Sequence, residues 1–257
     1  MMTSVVRRAV RLIAAFTCFV CVMSAAILLA HTTVNDRAYD ELRDAVSSPE
    51  SADQNDTGQD GASPDMDNLR SMDIAAWLTV GGTDISYPVV QPDDELPRDW
   101  YLTHNVWGDW DPLGCPYLDR RSGVEGKHLL VFGHHMQGTN QMFSELSSAY
   151  EQDSFDTIRM ASWATPQGDV TEFTPLLAMN VDASYASIQR FEFTDSNDLH
   201  AWLEDLIGSA TAVSPNAIAF TEHAIRVLTL VTCSEAQAGG RTRTLIVFAQ
   251  VDALSEE

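Results

Sequence analysis

The stretch Arg226-Val227-Leu228-Thr229-Leu230-Val231-Thr232-Cys233 is followed by Ser234 to Gly240, then Arg241-Thr242-Arg243, then a second run from Thr244 to Val251. Both runs are apolar and rich in β-branched residues, so each is predicted to be a buried strand, with the loop between them leaving the Cys233 sulfur reachable. Working outward, Ala76 to Val80 and Ile85 to Val90 flank Gly81-Gly82 and read as two strands joined by a tight turn. Tyr117-Leu118 and His128 to Phe132 read as further short strands, and 170–181 contains strand-like stretches interrupted by Pro175. Two segments carry helical spacing. One is Met142 to Tyr150. The other is Asn197 to Ile207, with Leu199, Trp202, Leu203, Leu206 and Ile207 on one face and Ser196 or Asn197 as its cap. Many short strands with a few helical insertions predict a mainly β fold, a closed β-barrel with peripheral helices. No internal repeat is visible.

The N-terminus reads differently. Arg7, Arg8 and Arg11 lead into an almost uncharged stretch ending at Ala30, and about 20 apolar residues span a bilayer as a helix. Basic residues before the stretch and acidic ones beyond His31 place the N-terminus in the cytoplasm. A cleaved signal peptide is the competing reading, although Leu28-Leu29-Ala30 lacks a small-x-small cleavage pattern. The expected organisation is a cytoplasmic end over 1–8, a membrane anchor over 9–30, and a juxtamembrane helix with an acidic flexible spacer over 31–65. A compact extracellular domain over 66–257 follows. The formal charge of −22, from 15 basic and 37 acidic residues, argues against nucleic acid or an anionic lipid surface as the main partner.

Of the four cysteines, Cys18 and Cys21 fall in the apolar stretch and read as fillers, which leaves Cys115 and Cys233 outside it. A disulfide between these two is possible in an oxidising compartment, but two cysteines do not make a disulfide scaffold. A thiol kept outside the cell suggests catalysis. Far upstream, Gly133-His134-His135 also follows an apolar run. One Cys, one His and one Arg drawn from separate strands is the minimum set for acyl transfer through a thioester.

Three blocks in order carry a resemblance to a known family. The first is Trp77-Leu78-Thr79-Val80-Gly81-Gly82-Thr83-Asp84-Ile85-Ser86-Tyr87-Pro88-Val89-Val90-Gln91, continuing into Tyr101-Leu102, His104 and Gly114 to Asp119. The second is Phe132-Gly133-His134-His135-Met136 with Met142-Phe143, and the third is Thr229-Leu230-Val231-Thr232-Cys233 with Arg243. Together they resemble the class B sortases, membrane-anchored cysteine transpeptidases of Gram-positive bacteria. The resemblance implies a sortase-type β-barrel in which the helix at 197–207 is a class B addition. It implies Cys233 as nucleophile, His134 as acid and base, and Arg243 holding the oxyanion, with Leu102, Phe132, Thr232 and Glu235 as substrate-binding residues. The implied substrate is the sorting signal of a secreted surface protein, and the implied acceptor is an amine of a peptidoglycan precursor or a pilin. Neither metal nor organic cofactor is implied. Class B members include enzymes that read Asn-Pro-type signals and others that read Leu/Ser/Pro-Pro-x-Thr-Gly-type signals.

The chain departs from the family pattern at two positions beside the expected site. Phe132 replaces the usual Tyr before Gly-His, and Val231 stands where many members have Ser. Arg241 and Arg243 both qualify as the family arginine, with Arg243 favoured. Cys115 reads as a small core residue, the alternatives being a regulatory disulfide or a second thiol. Two other functions remain open at this point. One is a thiol peptidase hydrolysing the same peptides, and the other is a non-catalytic, membrane-tethered peptide-binding module.

Overall fold

Nine strands make one sheet among the described residues, in the order β5-β1-β2-β3-β4-β8-β9-β6-β7. They are β1 (Ile74–Val80), β2 (Ser86–Val90), β3 (Tyr117–Leu118), β4 (His128–Phe132), β5 (Ala161–Ala164), β6 (Val170–Asp182), β7 (Ala212–Val213), β8 (Ala224–Cys233) and β9 (Thr242–Val251). A further pairing of β5 with β6 closes eight of these into a barrel, with β7 attached to β6 outside the closure. This is a computed structural model, and it describes residues 11–23, Tyr39, Leu42, 73–235 and 240–252. The chain divides into two units, Met1–Pro64 and Asp65–Glu257.

In the first unit residues 11–23 are helical, as are Tyr39 and Leu42. No helix among the described residues is long and apolar enough to cross a membrane. The rest of the expected anchor and of the juxtamembrane helix, and the whole acidic spacer, lie outside the described residues.

Side chains alternate across the barrel wall with the two-residue period of strands. Leu129 and Val131 of β4, Leu228 and Leu230 of β8, and Ile246 and Phe248 of β9 fill the interior together with Trp163 and Phe173. Leu130, Val231, Leu245 and Val247 face outward instead, into a second core formed with the helix Ser196–Ser209. That helix buries Leu199, Trp202, Leu203 and Leu206. At roughly 1.5–3 kcal/mol for each large apolar side chain, packing outweighs intrinsic propensity in fixing it. Asp195, rather than Ser196 or Asn197, caps its start by accepting from the Asp198 amide at 3.0 Å.

The segment before this helix straps it to the barrel through His128, which is fully buried. His128 Nδ1 donates to the Arg190 carbonyl at 2.7 Å, so its Nε2 accepts from the Thr229 hydroxyl at 2.8 Å. Trp202 Nε1 donates to the Ser187 carbonyl at 2.8 Å, and Arg190 pairs with Asp198 at 2.5 Å. Burial pushes the His128 imidazole down to about 4, which keeps it neutral in the core.

Three expectations about local structure change. The helix expected over Met142 to Tyr150 is only a 3₁₀ turn at Ser144–Leu146, because Met142 sits at φ 55°, a left-handed conformation that no α-helix contains. The stretch around Pro175 is one continuous strand, and the proline falls at a register irregularity with β9, where a missing N–H does not interrupt a regular ladder. Strand β5, which closes the barrel, went unread because Ala161-Ser162-Trp163-Ala164 lacks β-branched residues.

Candidate active site

The ends of β4 and β8 and the start of β9 meet at one level. In the antiparallel β8–β9 pair, Cys233 is the direct partner of Arg243. In the parallel β4–β8 pair, Phe132 is level with Val231, and the Gly133 amide continues the ladder to the Val231 carbonyl at 3.0 Å. β4 ends at Phe132, and His134 follows in the turn beyond it, at the same end of the sheet as Cys233 because β4 and β8 run parallel. Directly opposed residues share a face of a sheet. Cys233 and Arg243 accordingly lie on the outward face that carries Val231 and Leu245, not in the barrel interior.

The glycine before His134 has a steric cause. A Cβ at Gly133 would stand 2.5 Å from the Phe143 ring, so only glycine lets Phe143 pack under the turn. The turn is closed by the Phe143 amide donating to the His134 carbonyl at 2.9 Å and by a bridge between His135 and Met142. His134 Nε2 lies 2.7 Å from the Leu102 carbonyl. A carbonyl only accepts, so Nε2 carries a proton and Nδ1 is the nitrogen left to exchange one. Leu102 ends the 3₁₀ turn Trp100–Leu102, whose Tyr101 carbonyl accepts from the Cys115 amide at 2.8 Å. Gly114 makes that approach possible, since a Cβ there would come within 2.3 Å of the same carbonyl.

The second histidine also has a place. His135 Nδ1 donates to the Cys233 carbonyl at 3.0 Å, tying the turn after β4 to the end of β8. Arg243 uses only Nη1 within the described residues, donating to the Gly240 and Thr242 carbonyls at 2.8 and 2.9 Å. Nε and Nη2 of its guanidinium fork remain available to a ligand. Arg241 is exposed and precedes β9, with its backbone carbonyl accepting from the Ala183 amide. Of the two arginines, Arg243 is the one paired with Cys233 in the ladder.

The other expected residues scatter. Leu102 acts on His134 through its backbone. Phe132 faces outward, half-buried, with its ring stacked on Tyr117 at 5.4 Å. Thr232 alternates to the opposite side of β8 from Cys233, is buried, and its hydroxyl has no partner among the described residues. Glu235 is exposed and accepts from the Thr242 hydroxyl at 3.5 Å. Residues 236–239 of the intervening loop lie outside the described residues. Cys115 is a buried thiol whose Sγ donates to the Pro88 carbonyl at 3.5 Å, and no disulfide joins it to the partly exposed Cys233. Sequence reasoning gave Tyr117 no role at the site. Its signal was the register with Phe132, which only strand pairing exposes. Among the described residues no cluster of three or more His, Cys, Asp or Glu is arranged to hold a metal.

Comparison with known proteins finds sortase B proteins similar in sequence and in fold. Sortase B of Listeria monocytogenes is 24% identical over 206 residues, covering 79% of this chain and 71% of the relative. Sortase B of Staphylococcus aureus is 22% identical over 205 residues, covering 75% and 77%. The chain is a homologue of the class B sortases. No family model matches it. The solved structure of a Staphylococcus aureus sortase B–substrate complex shares the fold at a TM-score of 0.68, with 20% identity over 87% of this chain and 99% of that one. Clostridium perfringens sortase B superposes at 0.62, with 22% identity over 73% and 100%. A sortase B complexed with triglycine superposes at 0.66, with 20% identity over 85% and 97%. The homologue described here is a sortase-type cysteine transpeptidase, and Cys233, not the buried Cys115, is its accessible thiol outside the N-terminal segment.

Proposed function

We propose that this chain cleaves the C-terminal sorting signal of secreted proteins and transfers the protein to an amine of a peptidoglycan precursor or a pilin. The observation that carries the reading is the direct pairing of Cys233 with Arg243 across β8–β9, with His134 in the turn just beyond the end of the parallel neighbour β4. In the first step Cys233 Sγ gives its proton to His134 Nδ1 and attacks the scissile carbonyl, and Arg243 Nε and Nη2 hold the oxyanion. Collapse breaks the C–N bond, the leaving amine takes a proton from His134 Nδ1, and a thioester remains on Cys233. The acceptor amine then attacks the thioester, gives its proton to Nδ1, and forms a new amide as the Cys233 sulfur leaves. The substrate and triglycine complexes of the sortase B relatives support a peptide donor and an amine acceptor.

The same reading places the enzyme on the outer surface of a cell membrane. Arg7, Arg8 and Arg11 before the apolar stretch to Ala30 support an uncleaved anchor with its N-terminus in the cytoplasm. Protease treatment of intact cells tests this. Loss of the domain from about 66 onward supports the topology, and full protection overturns it.

The activity is tested by incubating the full chain with peptides of the Asn-Pro and Leu/Ser/Pro-Pro-x-Thr-Gly types and triglycine, with products read by mass spectrometry. A thioester on Cys233 and a triglycine-ligated product are expected. An adduct yielding only hydrolysed peptide would favour a thiol peptidase. No adduct with any peptide would favour a binding module.

A further inference from the structure

Tyr117 stands one step from the catalytic level, on the same outward face. It is the direct partner of Phe132 across β3–β4, and the two rings stack at 5.4 Å. The neighbouring pair, Leu118 and Val131, fills the barrel interior, so Tyr117 and Phe132 must face out. Phe132 is level with Val231, two residues before Cys233, and Val231 is opposite Leu245, two residues after Arg243. A row of Tyr117, Phe132, Val231 and Leu245 thus runs alongside the Cys233–Arg243 pair.

Within that row the phenol is the polar group. Its oxygen forms no hydrogen bond with any described residue and is not among the fully enclosed unpartnered polar atoms, so it stays open to a ligand. Burial raises the phenol well above its ordinary pKa, Asp99 and Asp119 push the same way, and the charges of Arg243 and Cys233 also reach it. It is therefore a neutral donor throughout any working pH range, in the field of both catalytic groups. Phe132, the ring stacked on it, has lost the hydroxyl that the resembling family carries one strand away.

Resting on the transpeptidase reading above, we propose that Tyr117 is a substrate-binding residue whose phenol donates a hydrogen bond to a backbone carbonyl of the peptide bound beside Cys233. Its position in the stack replaces the hydroxyl missing at Phe132.

The test uses the full chain, whichever sorting-signal peptide gives the triglycine product, and the variants Tyr117→Phe and Tyr117→Phe/Phe132→Tyr. Tyr117→Phe keeps the stack and removes one oxygen, so kcat/KM is expected to fall about ten-fold, the scale of one hydrogen bond. Alkylation of Cys233 by iodoacetamide and the melting temperature should stay unchanged, and the double variant should recover most of the loss. Unaltered kcat/KM in Tyr117→Phe overturns this proposal alone. A loss matched by a lower melting temperature and not recovered in the double variant also overturns it, assigning Tyr117 to packing. A wild-type chain that forms no Cys233 adduct overturns the transpeptidase reading and this proposal together.

Discussion

Cys233 and Arg243 face each other as a direct pair across the antiparallel β8–β9 ladder. The pair lies at the mouth of the loop that joins the two strands. The exposed Arg241, outside the ladder, has no such fixed relation.

Exchanging the two arginines tests that difference. Arg243→Lys keeps the charge but loses the planar fork, and a loss of about 100-fold in kcat is expected, the scale of a removed oxyanion donor. Arg241→Ala should stay within a few-fold of wild type. Equal losses in the two variants would mean that the strand register does not select the catalytic arginine.

The two cysteines should separate as cleanly. Cys233→Ala is expected to abolish the acyl adduct seen by intact mass. Cys115→Ala should retain it, because the Cys115 thiol is buried against the Pro88 carbonyl. An adduct persisting on Cys233→Ala would move the nucleophile elsewhere.

Gly133 is a packing requirement. With a Cβ placed 2.5 Å from the Phe143 ring, Gly133→Ala should destabilise the domain by about 1–3 kcal/mol, the usual cost of overpacking. Gly133→Ala/Phe143→Leu should recover part of it. Denaturant midpoints of the two variants decide the matter, and an unshifted midpoint in Gly133→Ala would contradict the contact.

His128 predicts a pH dependence of stability. Its folded pKa, pushed down to about 4, lies below the unfolded value of 6.5, so the unfolded chain binds the extra proton between these values. The stability it contributes is complete above about 6.5 and is lost as pH falls toward 4, by up to about 3 kcal/mol. In urea titrations the advantage of wild type over His128→Gln should shrink over that window. A constant difference from pH 7 to pH 4 would show that His128 does not titrate on unfolding.

The elements that sequence patterning read well are those whose pattern is local. Strands β8 and β9 are legible as unbroken apolar runs, such as Val227 to Val231, because the wall they build is buried on both faces. The helix face of Leu199, Trp202, Leu203 and Leu206 is legible because it repeats every three or four residues. Strand β5 was missed because its place is fixed by long-range pairing with β1 and β6 rather than by its own composition. The helix expected from Met142 failed because apolar spacing does not reveal a left-handed φ at its first residue.

The sequence by itself determined the chemistry available to this protein. It supplied a thiol at the end of an apolar strand, a histidine after a glycine, and an arginine at the head of the last strand, because residue type and local pattern are written in the chain. Only the tertiary structure decided which of these groups lie together. Parallel pairing of β4 with β8 brings the turn that carries His134 to the end of the sheet where Cys233 stands, and antiparallel pairing of β8 with β9 puts Arg243, not Arg241, opposite Cys233. It also turned Thr232 away from Cys233 and set the Tyr117 phenol beside the site. Register between strands distant in sequence is set by burial of both faces of the barrel wall, and no local stretch of the chain carries that information.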